Sequence, residues 1–174
     1  MKGNQGESDM FREMRRNRQQ LSEEETRAIL ARCSSGTLAV LGDEGYPYAV
    51  PLSYAYHDGR IYFHCARSGH KLDAVRAYDK ASFCVIDKDE IVPEKFTTKY
   101  RSAIAFGRVR EVADPAEMEG IMRRIAGKYS PNEGEEAFQN EMRSSGALCV
   151  LALDIEHLSG KQGKELLMER KHTT

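Results

Sequence analysis

The run Arg67-Ser68-Gly69-His70-Lys71 sets a glycine among basic residues where an apolar, strand-like segment gives way to helical spacing. Amides at the start of a helix lack a partner in the preceding turn, and such a cluster attracts anions. Gly69 would let a phosphate approach the backbone, and Arg67 and Lys71 would add charge. Taken alone, the run reads better as a solvated turn with incidental basic side chains. Upstream, Tyr46 to Tyr56 alternates along a strand, with Tyr46, Tyr48, Val50, Leu52, Tyr54 and Tyr56 on one side and Pro47, Ala49, Pro51, Ser53 and Ala55 on the other. Pro47 and Pro51 remove N–H donors from the same edge of that strand. The edge is either one protected from pairing by proline, or one left open for a planar ligand with its own donors and acceptors. In the second case the small side chains of Ala49, Ser53 and Ala55 leave room beside it. Coupled, the two features suit a ligand with a flat ring and a phosphate.

Other residues add less. Of the histidines, His57 lies in a turn, His172 in the tail and His157 at the end of a strand. His64 and His70 fall in the candidate site, but no carboxylate or cysteine spacing around them makes a metal centre or a catalytic triad. Lys99-Tyr100-Arg101-Ser102 is a polar and aromatic stretch at the start of a long strand. It is either a solvent face or an interface that completes a site across a symmetric dimer. Cys33, Cys65, Cys84 and Cys149 are far apart with no Cys-x-x-Cys pair. They read as reduced, buried thiols rather than zinc ligands, with the cytoplasm as the expected compartment.

The elements that must position these residues follow from periodicity. Ser22 with Glu25 opens a helix to about Arg32. Strands are expected over Thr37 to Leu41, Tyr46 to Tyr56, Arg60 to Ala66, Ala81 to Ile86, Thr97 to Val112 and Ala147 to Ile155. Asp58-Gly59 supplies a hairpin turn, and Gly107 a bend or bulge. Helices are expected over Leu72 to Ala77, from Asp114-Pro115-x-Glu117 to Gly127, and over Glu135 to Met142. The Met118, Ile121, Met122 and Ile125 stripe is core packing. Hairpins dominate the first half, so the expected class is mainly β (α+β), a small antiparallel barrel with peripheral helices. Residues 1–20 form a polar arm, 21–158 the domain, and 159–174 a polar, exposed tail.

Bulk properties set limits. The 174-residue chain is 40% apolar and 30% charged with a net charge of −1, which makes no case for nucleic acid or membrane partners. No apolar run reaches the roughly 20 residues that span a bilayer, and no apolar leader directs export. No glycine-rich nucleotide motif follows a strand.

GYPYAVPLSYAY (Gly45 to Tyr56), IYFHCARSGHK (Ile61 to Lys71) and TTKYRSAIAFGRV (Thr97 to Val109), in that order, resemble the pyridoxamine 5′-phosphate oxidase-related flavoproteins, in particular their nitroimidazole-resistance-like branch. The resemblance runs from MRRNRQQLSEEETRAIL (Met14 to Leu30) to the strand ending near Ile155. It implies a homodimeric split β-barrel with FMN at the subunit interface. Val50, Pro51, Leu52 and Ser53 would line the isoalloxazine with backbone groups. His64, Cys65 and Ala66 would continue that wall, while Gly69, His70 and Lys71 would hold the phosphate. Tyr100, Arg101 and Ser102 would come from the second subunit. The implied activity is reduction of a small organic acceptor such as a nitro-aromatic compound, with solvent, Tyr54 and His70 as candidate proton sources. The rival is a barrel that binds flavin or haem without turnover, with His64 or His70 as the haem ligand. The closing sequence GKELLMERKHTT departs from the arginine-containing segment with which the family's oxidases contact pyridoxal, so vitamin B6 oxidation is not expected.

Overall fold

The computed structural model describes residues 11–144 and 148–172. Seven strands, β1 (Ser35–Leu41), β2 (Pro47–Ser53), β3 (Ala55–His57), β4 (Arg60–Ala66), β5 (Lys80–Val92), β6 (Thr97–Glu111) and β7 (Leu148–Gln162), make one sheet. Its order is β2-β1-β5-β6-β7-β4-β3, and every pairing is antiparallel. β2 and β3 are opposite edges of this sheet, yet Tyr54 alone separates them in the chain. The sheet must therefore curl until its edges meet at Tyr54, which closes a barrel there. Beyond that point β4 pairs with β3 only through Tyr62, so Phe63 to Ala66 have β7 on one side and, among the described residues, no strand on the other. The barrel is split along the seam between β2 and β4.

Alternation along the strands divides two cores. Leu38, Val40, Phe63, Phe83, Val85, Leu151 and Leu153 fill the barrel. Ile29 and Leu30 of α1 (Glu23–Arg32) pack into that core, as do Leu72 and Val75 of α2 (His70–Ala77). The intervening Tyr62, Val150 and Ala152 point outward and pack on Ile121, Met122 and Ile125 of α3 (Pro115–Tyr129). β7 is thus covered on both sides in its first half, which is why the sequence there reads as unbroken apolar. The expected capping box at Ser22 and Glu25 is present, and Asp114 caps α3 through the Glu117 amide at 2.8 Å.

The structure differs from the sequence reading at several places. The single strand expected over Tyr46 to Tyr56 is two, broken where it passes from one sheet edge to the other. The fourth strand runs to Val92 rather than Ile86. Its outer half lies beyond the core, where paired charges such as Lys99 and Lys88 around Glu90 replace the apolar alternation. The residues after Leu158 are not an exposed tail. β7 continues to Gln162, which is 1% exposed, and α5 (Lys164–His172) follows. His157 accordingly lies within a strand, stacked on Phe11 at 4.6 Å. Gly127 lies inside α3, which continues to Tyr129, and α4 (Glu135–Ser144) follows. Residues 11–21 dock along β7, where the Leu21 amide donates to the Gly160 carbonyl at 2.9 Å. The rest of the expected arm, residues 1–10, and Ala147 lie outside the described residues. No helix among the described residues is long and apolar enough to cross a membrane.

Candidate functional site

The seam begins with β2. Its register sets Pro47 opposite Leu41 and Pro51 opposite Thr37. Residues without an N–H fit where the backbone faces away from β1, so Tyr48, Val50 and Leu52 carry the ladder. These three also turn their side chains to the core. The amides of Ala49 and Ser53, and the carbonyls of Pro47, Ala49, Pro51 and Ser53, are then directed to the open side. Pro47, Ala49, Pro51 and Ser53 are exposed there.

α2 stands at the far end of the seam. The His70 ring stacks on Tyr48 with centroids 4.2 Å apart, and its Nε2 lies 3.6 Å from Asp43 Oδ2. This fixes the helix start beside the start of β2. Gly69 is the N-cap with φ 127° and ψ 162°, and no side chain caps the helix. Its carbonyl accepts from the Leu72 and Asp73 amides at 2.9 and 3.1 Å. The amides of His70 and Lys71 precede that first helical bond and are left for a ligand. A Cβ on Gly69 would meet open space, so its backbone angles rather than crowding call for glycine. The Lys71 ammonium lies near Cys65 and partly offsets the upward push of burial on that thiol. Arg67, by contrast, is turned away, with Nε donating to the Leu148 carbonyl at 3.3 Å.

At the other end, Ser53 and His64 open into a cleft of about 720 Å³ between the seam, α3 and α4. Met122, Ile125, Phe138, Met142 and Leu148 supply apolar walls, and Glu133, Glu135, Glu141 and Arg123 the rim. The sequence reading missed this cleft. It took the α3 stripe as core, which Met122 and Ile125 are, but the same stripe also forms a wall. From Tyr48 to Ser53 the edge spans about 17 Å, taking about 3.3 Å per residue.

The crossover between the edges is bound from α3. The Tyr129 hydroxyl accepts from the Tyr54 amide at 2.8 Å, contacts the Tyr54 carbonyl at 2.7 Å and reaches the Ser34 carbonyl. Lys128 Nζ donates to the carbonyls of Cys33 and Tyr54 at 2.5 and 3.0 Å and sits 4.2 Å from the Tyr54 ring centroid. Burial lowers the Lys128 ammonium below its ordinary value. Tyr54 is fully buried, its hydroxyl donates to the Leu30 carbonyl at 2.8 Å, and burial pushes the phenol well above its ordinary value. That placement removes Tyr54 as a proton source for a ligand in the seam, because its side chain follows Tyr48 and Leu52 to the inside.

Tyr100, Arg101 and Ser102 lie on β6, with β1 and β5 between them and β2 in the sheet. One chain does not bring them to the open edge. Arg101 Nη1 is 3.4 Å from Asp87 Oδ2, and Asp87 also accepts from Arg32 Nε at 2.7 Å. The Arg32 guanidinium, the nearer partner, holds the Asp87 carboxyl below its usual range. Arg101 Nε is buried with no partner among the described residues.

All four cysteines are free, Cys149 buried and the others half-buried. Burial raises each thiol, Cys149 to about 11 with Cys65 and Glu111 adding to it. A chromogenic thiol reagent at pH 8 is therefore expected to react slowly with the folded protein, slowest at Cys149, and rapidly with all four thiols in guanidinium. Immediate reaction of all four in the native state would contradict the burial.

A curled antiparallel sheet with an open seam, an uncapped helix start at one end and an apolar cleft at the other defines the split β-barrel class. The sequence matches the pyridoxamine 5′-phosphate oxidase family over residues 22–162, and the chain belongs to that family. No curated protein matches it. Among solved structures, a conserved hypothetical protein from Mycobacterium tuberculosis is 19% identical with a TM-score of 0.76, over 88% of this chain and 92% of that one. A protein assigned to 5-nitroimidazole antibiotic resistance in Bacteroides thetaiotaomicron is 18% identical with a TM-score of 0.66, over 81% and 84% of the two chains. A FAD- and heme-binding protein from Mycobacterium smegmatis is 22% identical with a TM-score of 0.66, over 83% and 73%. At these identities the likeness is one of fold.

Proposed function

We propose that the protein is a flavin-binding oxidoreductase, with FMN laid along the β2–β4 seam. The observation that carries this reading is the seam itself. It offers free backbone donors and acceptors for a flat ring and, at one end, an uncapped helix start for a phosphate. Family membership and the FAD- and heme-binding relative in M. smegmatis support a flavin. Backbone groups of Pro51 and Ser53 would face the ring, with Val50 and Leu52 behind them in the β1 ladder and His64, Cys65 and Ala66 across the seam. Gly69, His70 and Lys71 would hold the phosphate through two amides and one ammonium. Bound flavin would supply reversible electron transfer to a small organic acceptor such as a nitro-aromatic compound. The relative assigned to 5-nitroimidazole resistance supports that acceptor class.

A second copy of the chain would bring Tyr100, Arg101 and Ser102 to the site. The β5–β6 ribbon that carries them exposes Ile86, Ile91 and Phe96, the last 98% exposed, as an apolar surface for such a partner. The rival reading, haem in the same barrel, draws on His64, whose side chain faces the apolar cleft.

A visible spectrum of the purified protein tests the proposal. Flavin bands are expected, and FMN rather than FAD should appear when the released cofactor is chromatographed. A Soret band would establish haem instead, and a colourless protein that takes up no added FMN would sink the flavin reading. Lys71→Ala should weaken FMN binding about tenfold or more with unfolding unchanged, because one ammonium–phosphate contact is lost from a half-exposed site. Unchanged affinity would move the phosphate elsewhere.

A further inference from the structure

We propose that the cleft between α3 and α4 seats the electron acceptor and selects flat apolar molecules that carry no negative charge. The inference rests on the flavin reading for what lies beside the cleft, and on the cleft alone for what enters it. Ser53 ends the open β2 edge and His64 lies across the seam, and both open into the cleft. The cleft therefore continues the seam at the end opposite the phosphate-binding helix start. Its volume of about 720 Å³ falls within the range that encloses a small aromatic ligand. Met122, Phe138 and Met142 give it polarizable apolar walls.

The charges around it are one-sided. Glu133, Glu135 and Glu141 line the rim against one guanidinium, Arg123. That guanidinium is already held, by Glu119 Oε1 at 2.8 Å and by Glu135 Oε2 at 2.7 Å, and it stands 4.4 Å over the Phe138 ring. Arg124 and Lys128 follow on α3; Arg124 does not line the cleft, and Lys128 is turned to the carbonyls of Cys33 and Tyr54. Among the described residues that line the cleft, an anionic acceptor would thus meet more carboxylates than cations, and the field that helps a neutral or cationic ring would oppose it. The one phosphate-binding feature of the seam among the described residues, the helix start, lies at its far end, so a phosphorylated substrate would find no anchor in this cleft.

Two nitro-aromatic probes of matched size test the proposal on the flavin-loaded protein. Binding of 4-nitrobenzyl alcohol and of 4-nitrobenzoate would be measured by calorimetry at pH 7.5. The alcohol should bind about tenfold or more tightly than the benzoate. Ala137→Trp, an exposed cleft position that a large side chain would fill, should weaken the alcohol about tenfold while flavin absorbance and the melting temperature hold. Glu133→Lys should narrow the ratio between the probes. Equal or tighter binding of the benzoate, failure of both probes to bind, or an alcohol affinity indifferent to Ala137→Trp would each overturn the inference. If the protein retains flavin through any of these results, the cofactor reading survives them. If instead it holds no flavin but binds the alcohol in a way that depends on Ala137, the cofactor reading fails and the cleft stands.

Discussion

Gly107→Val is expected to cost about 3 kcal/mol or more of stability, among the largest effects of any single substitution in this chain. A Cβ at that position would lie 1.9 Å from the Asp154 carbonyl oxygen and 2.9 Å from its carbon. Both atoms belong to the backbone of β7, so no side-chain rotation can relieve the clash. The register between β6 and β7 also shifts between Phe106 and Gly107, which brings the strands together there at a bulge. Relief would require the two long strands to separate, and between them they carry the pairing from Arg101 to Glu111. Urea unfolding followed by far-ultraviolet circular dichroism gives the measurement. Gly120→Ala is the matched control, since a Cβ there meets nothing within 4 Å and the residue sits inside α3. It should stabilise by up to about 1 kcal/mol through helix propensity. A valine at 107 that leaves the midpoint near that of the parent would show that β6 and β7 can part without cost.

Tyr129→Phe is expected to cost about 2 kcal/mol and to loosen the site at the same time. The hydroxyl serves the Tyr54 amide, the Tyr54 carbonyl and the Ser34 carbonyl. Removing it leaves a buried amide without a partner at the one residue where the sheet edges meet. Ser53, next in the chain, opens into the cleft, so flavin dissociation should accelerate in parallel with the stability loss. A variant with lower stability and unchanged flavin dissociation would uncouple the crossover from the site. Tyr54 itself adds a pH signature. Its phenol is raised in the folded state by burial, so the unfolded chain ionises first as pH rises. The stability it contributes is present below about pH 10 and is lost above it. In Tyr54→Phe, the alkaline fall in stability between about pH 10 and 12 should be shallower than in the parent.

The residues that hold the seam were legible because they break local rules. Two prolines in an alternating strand, and a glycine among basic residues at a helix start, depart from simple strand and helix chemistry. Those departures marked an open edge and an uncapped terminus. The family resemblance supplied the ligand's name and the architecture, and the family match over residues 22–162 agrees with it. What stayed hidden has a common cause. Apolar periodicity reports burial, not pairing, so β5 past Ile86 and β7 past Ile155 looked like loops and tail once their faces became wet. The passage of one strand between two sheet edges at Tyr54 leaves no local trace, since the alternation runs straight through it. The cleft was missed for a related reason. An apolar stripe on α3 spells burial whether it meets a core or walls a cavity, and only the position of α4 decides between them.

The adjacency of β2 and β3 in the chain also bears on how fast this protein can fold. Closing a barrel ordinarily means bringing together two distant stretches of chain, with the entropy loss that long loops carry. Here the closing junction joins strands separated only by Tyr54, and β1–β2 and β3–β4 are neighbouring hairpins on either side of it. The slow encounter is displaced to β4 and β7, where Arg60 meets Asp154 across most of the domain. Until that pairing forms, the first four strands can exist as two linked hairpins with the open β2 edge already made and the cleft still without its α3 and α4 walls.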